Sequence, residues 1–111
     1  MRGIRFIKMV ASGNDFILLD DSNYAAAGRR PDTGRLAIEM CQRISGVGAD
    51  GLLLLKKGRG SDVNMRIFNA DGSEAEMCGN GARCVALYWA GKTGKKNIVI
   101  STIAVSYTHL R

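Results

Sequence analysis

Residues 77–84 read Met-Cys-Gly-Asn-Gly-Ala-Arg-Cys, and Cys78 stands directly before Gly79-Asn80-Gly81. Ala82, Val85, Ala86 and Trp89 follow at i, i+3, i+4 and i+7, the spacing of a helix with one buried face. A helix that begins there leaves its first backbone N–H groups unpaired and turned toward the preceding loop. With the helix dipole, those groups form a site for an anion such as a carboxylate. Gly79 and Gly81 carry no Cβ to hold a ligand away from that backbone. The same field stabilises a thiolate. A carboxylate-binding helix start beside a poised thiol is what proton abstraction alpha to a carboxylate requires. A core cysteine needs none of these neighbours.

Three asparagines fit the same chemistry. Asn14 and Asn69 each lie at a turn beside a strand-like segment, and Asn80 is two residues from the thiol. Amides hold the carboxylate and the ammonium of an amino acid without adding net charge. Asparagine in a turn also serves its own backbone, so the asparagines gain weight from the thiol rather than the reverse. The other cysteines read as structural: Cys41 falls on an apolar stripe, and Cys84 lies beside the stripe of the helix after Cys78. A nucleophilic role for Cys78 in a hydrolase or transferase calls for a histidine base, and the only histidine is His109 near the C-terminus. Neither GVGADG nor CGNGAR carries the Gly-Lys-Ser/Thr ending of a phosphate loop.

Two strands and a turn position Asn14. IRFIKMV (4–10) and DFILLD (15–20) have strand composition, with ASGND between them, where Gly13 and Asn14 are expected to take unusual backbone angles. Residues 21–34 read as loop and include the only proline, Pro31. A helix is expected from Asp32 or Thr33, with Leu36, Ala37, Met40, Cys41 and Ile44 as its stripe. SGVGADG (45–51) breaks the chain and leads into LLLLKK, a buried strand. GRGSD (58–62) is a turn, VNMRIF (63–68) alternates as a strand, and Asn69-Ala70-Asp71-Gly72 closes it. The helix after Cys78 is expected to end near Gly91, and NIVIST (97–102) is a last strand. Strands in the majority with two helices indicate an α+β lobe rather than a doubly wound sheet.

The chain of 111 residues has room for one core. At 46% hydrophobic and 23% charged, it has the composition of a folded domain. Charges at Arg2, Arg5 and Lys8 interrupt any leader-like apolar run, and no apolar run is long enough to span a membrane, so a cytoplasmic protein is expected. Three cysteines without paired spacing and a single histidine argue against a disulfide framework and against a metal site. The net charge of +6 comes from scattered basic residues without a stacking platform of aromatics, so a nucleic-acid partner is not expected. A positive lobe also steers a small anionic substrate.

KMVASGNDFILLD, GVGADGLLLL and above all MRIFNADGSEAEMCGNGARC resemble the first lobe of diaminopimelate epimerases, from about residue 4 to residue 104. The resemblance implies strands curled around a central helix, with the active site between two such lobes. It implies a cofactor-independent isomerase that interconverts LL- and meso-diaminopimelate in lysine biosynthesis, and a homodimer for the intact enzyme. Carried over by position, Cys78 is one of two catalytic cysteines, and Asn14, Asn69, Gly79 and Asn80 contact the substrate. Val10-Ala11-Ser12 stands where many members have His-Gly, and Gly51 where some use a glutamine. The family's second cysteine block has no counterpart here. Residues 1–104 therefore read as one lobe and 105–111 as a non-matching tail, of the kind a truncated frame or a foreign junction leaves. On this reading the chain alone is inactive, and the alternative is a non-catalytic lobe that binds an amino-acid carboxylate.

Overall fold

The computed structural model describes residues 4–21 and 32–103 in full and the backbone of 106–110. The elements are β1 (Ile7–Ala11), β2 (Asn14–Asp20), α1 (Thr33–Cys41), β3 (Gly51–Lys57), β4 (Val63–Asn69), β5 (Glu74–Ala75), α2 (Gly79–Thr93), β6 (Asn97–Ser101) and β7 (Ser106–Leu110). One mixed sheet runs in the order β1-β2-β3-β4-β6-β7, with the short β5 on β4. The expected α+β class holds. Most of the loop expected over 21–34 lies outside the described residues.

β1 and β2 form a hairpin closed by the pair Ala11 and Asn14. Its two-residue turn is Ser12-Gly13, with φ of 51° and 85°, the double left-handed geometry that matches strand twist. The unusual angles thus fall on Ser12 and Gly13, not on Asn14, which begins β2. β2 pairs parallel with β3 through a crossover that contains α1, and β4 pairs parallel with β6 through one that contains α2. The antiparallel β3–β4 hairpin between them reverses the strand direction. Two crossovers of the same right-handed sense that start from opposed strands must lay their helices on opposite faces.

The core follows that arrangement. Leu52 and Leu54 of β3 join Ile17, Leu19 and Phe68 beneath Leu36, Ala37, Met40 and Cys41 of α1. Leu53 and Leu55 join Phe16, Leu18, Met65 and Ile67 beneath Ala82, Val85, Ala86 and Trp89 of α2. The uninterrupted LLLL run therefore serves both faces, as strands covered on both sides do. α2 touches β1 and β2 toward one edge of the sheet and β6 and β7 toward the other, so the sheet curls around it.

Asp32 caps α1 by accepting from the N–H groups of Gly34 and Arg35 at 3.0 and 3.3 Å. The helix stops at Cys41 because Gln42 turns extended and the chain folds back, with Gly46 N–H donating to the Gln42 carbonyl at 3.0 Å. Ile44 consequently leaves the expected stripe and is 100% exposed. α2 runs past Gly91 to Thr93 and ends at Gly94, whose φ of 80° lets its N–H donate back to Ala90. Asp20, 6% exposed, accepts from Tyr88 of α2 at 2.9 Å and from Lys92, which joins β2 to the helix. β5 was not expected from the sequence, because two residues carry no periodicity. The tail forms the edge strand β7, with His109 opposite Ile98.

Candidate functional site

The register gathers one end of the sheet. Phe16 pairs with Gly51 at the start of β2 and β3, and Gly51 pairs with Asn69 at the end of β4. β5 turns back beside Ile67 and Phe68 and delivers the chain to Cys78. The first turn of α2 meets this end of the sheet through Asn80, which contacts Asn14.

Cys78 is the N-cap of α2, with extended backbone (φ −150°, ψ 109°). Its sulfur accepts the N–H of Gly81 at 3.4 Å, the place that serine, threonine or aspartate oxygens ordinarily fill. The thiol is half-buried and packs against the cluster under α2. A Cβ on Gly81 would meet Leu53 at 3.2 Å and the Cys78 sulfur at 3.5 Å, so glycine there lets the helix start approach the sheet. The first turn of α2 carries no acidic residue, which leaves its N–H groups without a competing carboxylate. Gly79 is exposed.

Asn80 donates its side-chain amide to the Asn14 carbonyl oxygen at 2.6 Å. One turn further along, Arg83 donates to the Ser12 hydroxyl at 3.0 Å. Residues 80 and 83 share a helix face, so the β1–β2 turn is docked on the first turn of α2 at two points. Asn69 stands apart from this group. Its side chain donates to Ser73 at 3.0 Å and its N–H to the Ser73 carbonyl at 2.8 Å, within the β4–β5 turn. The structure thus links Cys78, Asn80 and Asn14, and brings Asn69 to the same sheet end with its amide engaged locally.

Behind Asn14 lies a charged group that the sequence reading did not single out. Asp15 and Asp50 each accept the other's backbone N–H at 3.0 Å. Arg43 holds Asp15 with two N–H groups, at 2.8 and 2.9 Å, and reaches Asp50 at 3.1 Å. The Arg43 guanidinium is the main reason that the Asp15 carboxyl lies far below the usual carboxylate range. Asp50 also accepts the Asn14 amide at 3.3 Å. The available signal was Asp50 inside GVGADG at a break before a buried strand.

Burial pushes the thiols of Cys41 and Cys84 above their ordinary range, in keeping with their structural reading. A Cβ on Gly51 would meet the Phe68 carbonyl oxygen at 3.1 Å, a tight contact, and the Phe16 ring at 3.5 Å, an ordinary one. A glutamine at this position requires the Phe68 carbonyl to give way slightly. Among the described residues, no three histidine, cysteine or acidic side chains lie together as a metal site requires. No helix among them is long and apolar enough to cross a membrane.

Residues 6–105 match the family model of diaminopimelate epimerase. The chain is 47% identical over 103 residues to the diaminopimelate epimerase of Caldanaerobacter subterraneus subsp. tengcongensis, covering 91% of this chain and 35% of that protein. It is 48% identical over 101 residues to that of Bacteroides thetaiotaomicron, covering 89% and 36%. The chain thus spans about a third of the length of the curated relatives it matches. Among solved structures, a phenazine biosynthesis protein of the PhzF family from Bacillus anthracis superposes with a TM-score of 0.65 at 20% identity, covering 96% of this chain and 34% of that one. A methylitaconate-delta-isomerase superposes with a TM-score of 0.68 at 15% identity, covering 90% and 32%. Both share the fold.

Proposed function

The chain belongs to the diaminopimelate epimerase family, and from that premise we propose that it supplies one half of a two-base site that epimerises LL-diaminopimelate to meso-diaminopimelate in lysine biosynthesis. Cys78 is the acid–base group on this side. Its thiolate removes the Cα proton, and a second cysteine from another lobe returns a proton on the opposite face. A thiol/thiolate pair suits this exchange because the two partners swap roles in the reverse direction. The N–H groups at Gly79 and Asn80 receive the substrate carboxylate and stabilise the charge that develops on it. Asn14, Asn80 and Asn69 orient the amino acid, and Asn69 exchanges its Ser73 partner for the ligand. Closure between lobes removes water that would otherwise weaken a solvated thiolate base.

The observation that carries this reading is the Cys78 sulfur at the N-terminus of α2 beside the Asn80–Asn14 pair. Residues 1–104 supply the lobe, and 106–111 lie beyond the segment that the family model matches. The intact enzyme is a cytoplasmic homodimer that uses no cofactor, and the chain alone is inactive.

Grafting residues 6–103 in place of the matching segment of the Caldanaerobacter relative tests the assignment. The graft is expected to epimerise diaminopimelate and to exchange its Cα proton with solvent, and Cys78→Ser to reduce both by roughly a hundredfold or more. Full turnover by the Cys78→Ser graft removes Cys78 from the chemistry. Binding without Cα exchange makes this a carboxylate-binding lobe. Turnover by the 111-residue chain alone overturns the requirement for a second lobe.

A further inference from the structure

We infer that Asp50, held by Arg43, is a positioning residue that sets the amide orientation of Asn14 and, through it, of Asn80 beside the thiol. This deepens the proposed reading and rests on it for the ligand, though not for the geometry. A carboxylate only accepts hydrogen bonds. Asp50 Oδ2 at 3.3 Å from Asn14 Nδ2 therefore requires the NH2 of Asn14 to face Asp50 and its carbonyl to face away. That carbonyl then receives the Asn80 amide at 2.6 Å, which turns the Asn80 NH2 toward Asn14 and its own carbonyl oxygen elsewhere. The direction of each hydrogen bond is thus transmitted from one carboxylate to the helix start, along Arg43, Asp50, Asn14 and Asn80.

The carboxylate itself is fixed on three sides. Asp50 Oδ1 accepts from Arg43 at 3.1 Å, and Oδ2 accepts the Asp15 N–H at 3.0 Å as well as the Asn14 amide. Arg43 in turn is anchored by both oxygens of Asp15, and Lys8 adds a contact to Asp15 at 3.1 Å. An isolated surface ion pair contributes little, but a bidentate arginine that also bridges to a second carboxylate gives geometric definition. The Asp50 side chain is 43% exposed, more than a group that served only to fill the core would be. Its consequence is directional: with its NH2 turned to Asn14, Asn80 points its carbonyl oxygen away from Asn14, an acceptor suited to the ammonium of an amino acid. Outer groups of this kind orient the residues that touch a ligand and commonly shift affinity by roughly tenfold or more.

The test uses the 111-residue chain uniformly labelled with 15N, in which asparagine side-chain and backbone amides are both followed. In the unsubstituted chain the Asn14 and Asn80 NH2 groups are expected to give resolved, shifted pairs of signals without ligand. Asp50→Ala should move the Asn80 pair toward the values of a free asparagine, while Asp50→Asn, which keeps one oxygen acceptor, should retain part of the shift. Arg43→Met, which leaves the carboxylate in place, supplies a second variant if Asp50→Ala fails to fold, and it should broaden the same pair. Diaminopimelate is then titrated against the backbone amides of Gly79, Asn80 and Gly81, with weakening of roughly tenfold expected in Asp50→Ala. An Asn80 side-chain pair that is unchanged in folded Asp50→Ala and Arg43→Met overturns the inference. A pair that shifts as expected, with no response to diaminopimelate even in the unsubstituted chain, upholds the positioning and counts against ligand binding by this lobe.

Discussion

Asn80 and Asn14 are 66 positions apart in sequence, and their side-chain amides meet at 2.6 Å. The contact ties the first turn of α2 to the first residue of β2, so the helix that carries Cys78 is indexed against the sheet by a polar pair. Asn80→Ala and Asn14→Ala are each expected to lower stability by about 1 kcal/mol. The double variant should lose less than the sum, with a coupling of about 0.5 kcal/mol or more. A double-mutant cycle in urea checks this, and strictly additive losses would show the pair to be energetically idle.

Cys78 combines a cap and a thiol, and substitution separates them. Serine is a better N-cap than cysteine, so Cys78→Ser should melt at or above the temperature of the parent, while Cys78→Ala should lie about 1 kcal/mol below Cys78→Ser. Paired thermal melts and solvent-proton exchange in the grafted enzyme should therefore show stability retained and proton transfer lost in the serine variant. Loss of both together would place the sulfur in the fold rather than in the chemistry.

Acid and base should each loosen the lobe. Arg43 holds the Asp15 carboxyl down, Lys95 and the Val99 N–H hold Asp62 down, and Arg66 holds Glu74 down. Groups with depressed folded values contribute stability above their unfolded values, near 3.8 for aspartate and 4.5 for glutamate, and lose it as pH falls below them. At the other end, burial and the hydrogen bond to Asp20 push Tyr88 up to about 12 from 10.0. A raised value contributes below pH 10 and is lost as pH rises through about 12. Melting temperature against pH should be flat from above the carboxylate range to near pH 9.0, where the buried thiols of Cys41 and Cys84 begin the alkaline fall, with the acid limb shallower in Asp15→Asn and the alkaline limb shallower in Tyr88→Phe. Limbs unchanged in those variants would contradict the assignments.

Asp20 is the buried carboxylate that fastens β2 to α2 through Tyr88 and Lys92. Asp20→Ala should cost about 2 kcal/mol, as the loss of hydrogen bonds to a charged group does. Lys92, 41% exposed and 4.8 Å from the centre of the Trp89 ring, retains water and the ring as partners, which limits the penalty. Chemical denaturation of Asp20→Ala against Tyr88→Phe checks the order, with the aspartate variant expected to be the weaker.

Elements with a repeating apolar pattern were legible in the sequence. Ala82, Val85, Ala86 and Trp89 announced α2, and alternation announced β4. Boundaries set by backbone turns were less so: Ile44 fits the helical spacing, yet Gln42 ends the helix first, and Gly91 is a helix residue while Gly94 is the stop. β5 exists only because the β4–β5 turn brings two residues alongside Ile67 and Phe68. At the site, the thiol and the neighbouring asparagines stood out by type and spacing. Arg43 and Asp50 did not, because their arrangement depends on parallel pairing of β2 with β3, which no local pattern encodes. Asn69 was grouped with the other asparagines by its place at a strand end, whereas hydrogen-bond geometry separates its side chain from theirs.

The sheet also acts as a partition. Leu52 and Leu54 look toward α1, and Leu53 and Leu55 toward α2, so the two apolar compartments touch chiefly through strand main chain. A change of side chain beneath α1 reaches the thiol by bending that wall or by moving the loop of Arg43 and Asp50, which Gly48 and Ala49 tie to the Met40 and Cys41 carbonyls. Away from the anchors of that loop, the α1 compartment is therefore freer to drift in sequence, volume for volume, while the α2 compartment stays bound to the demands of the helix start. One chain thereby carries a permissive half and a constrained half, back to back across a single layer of peptide.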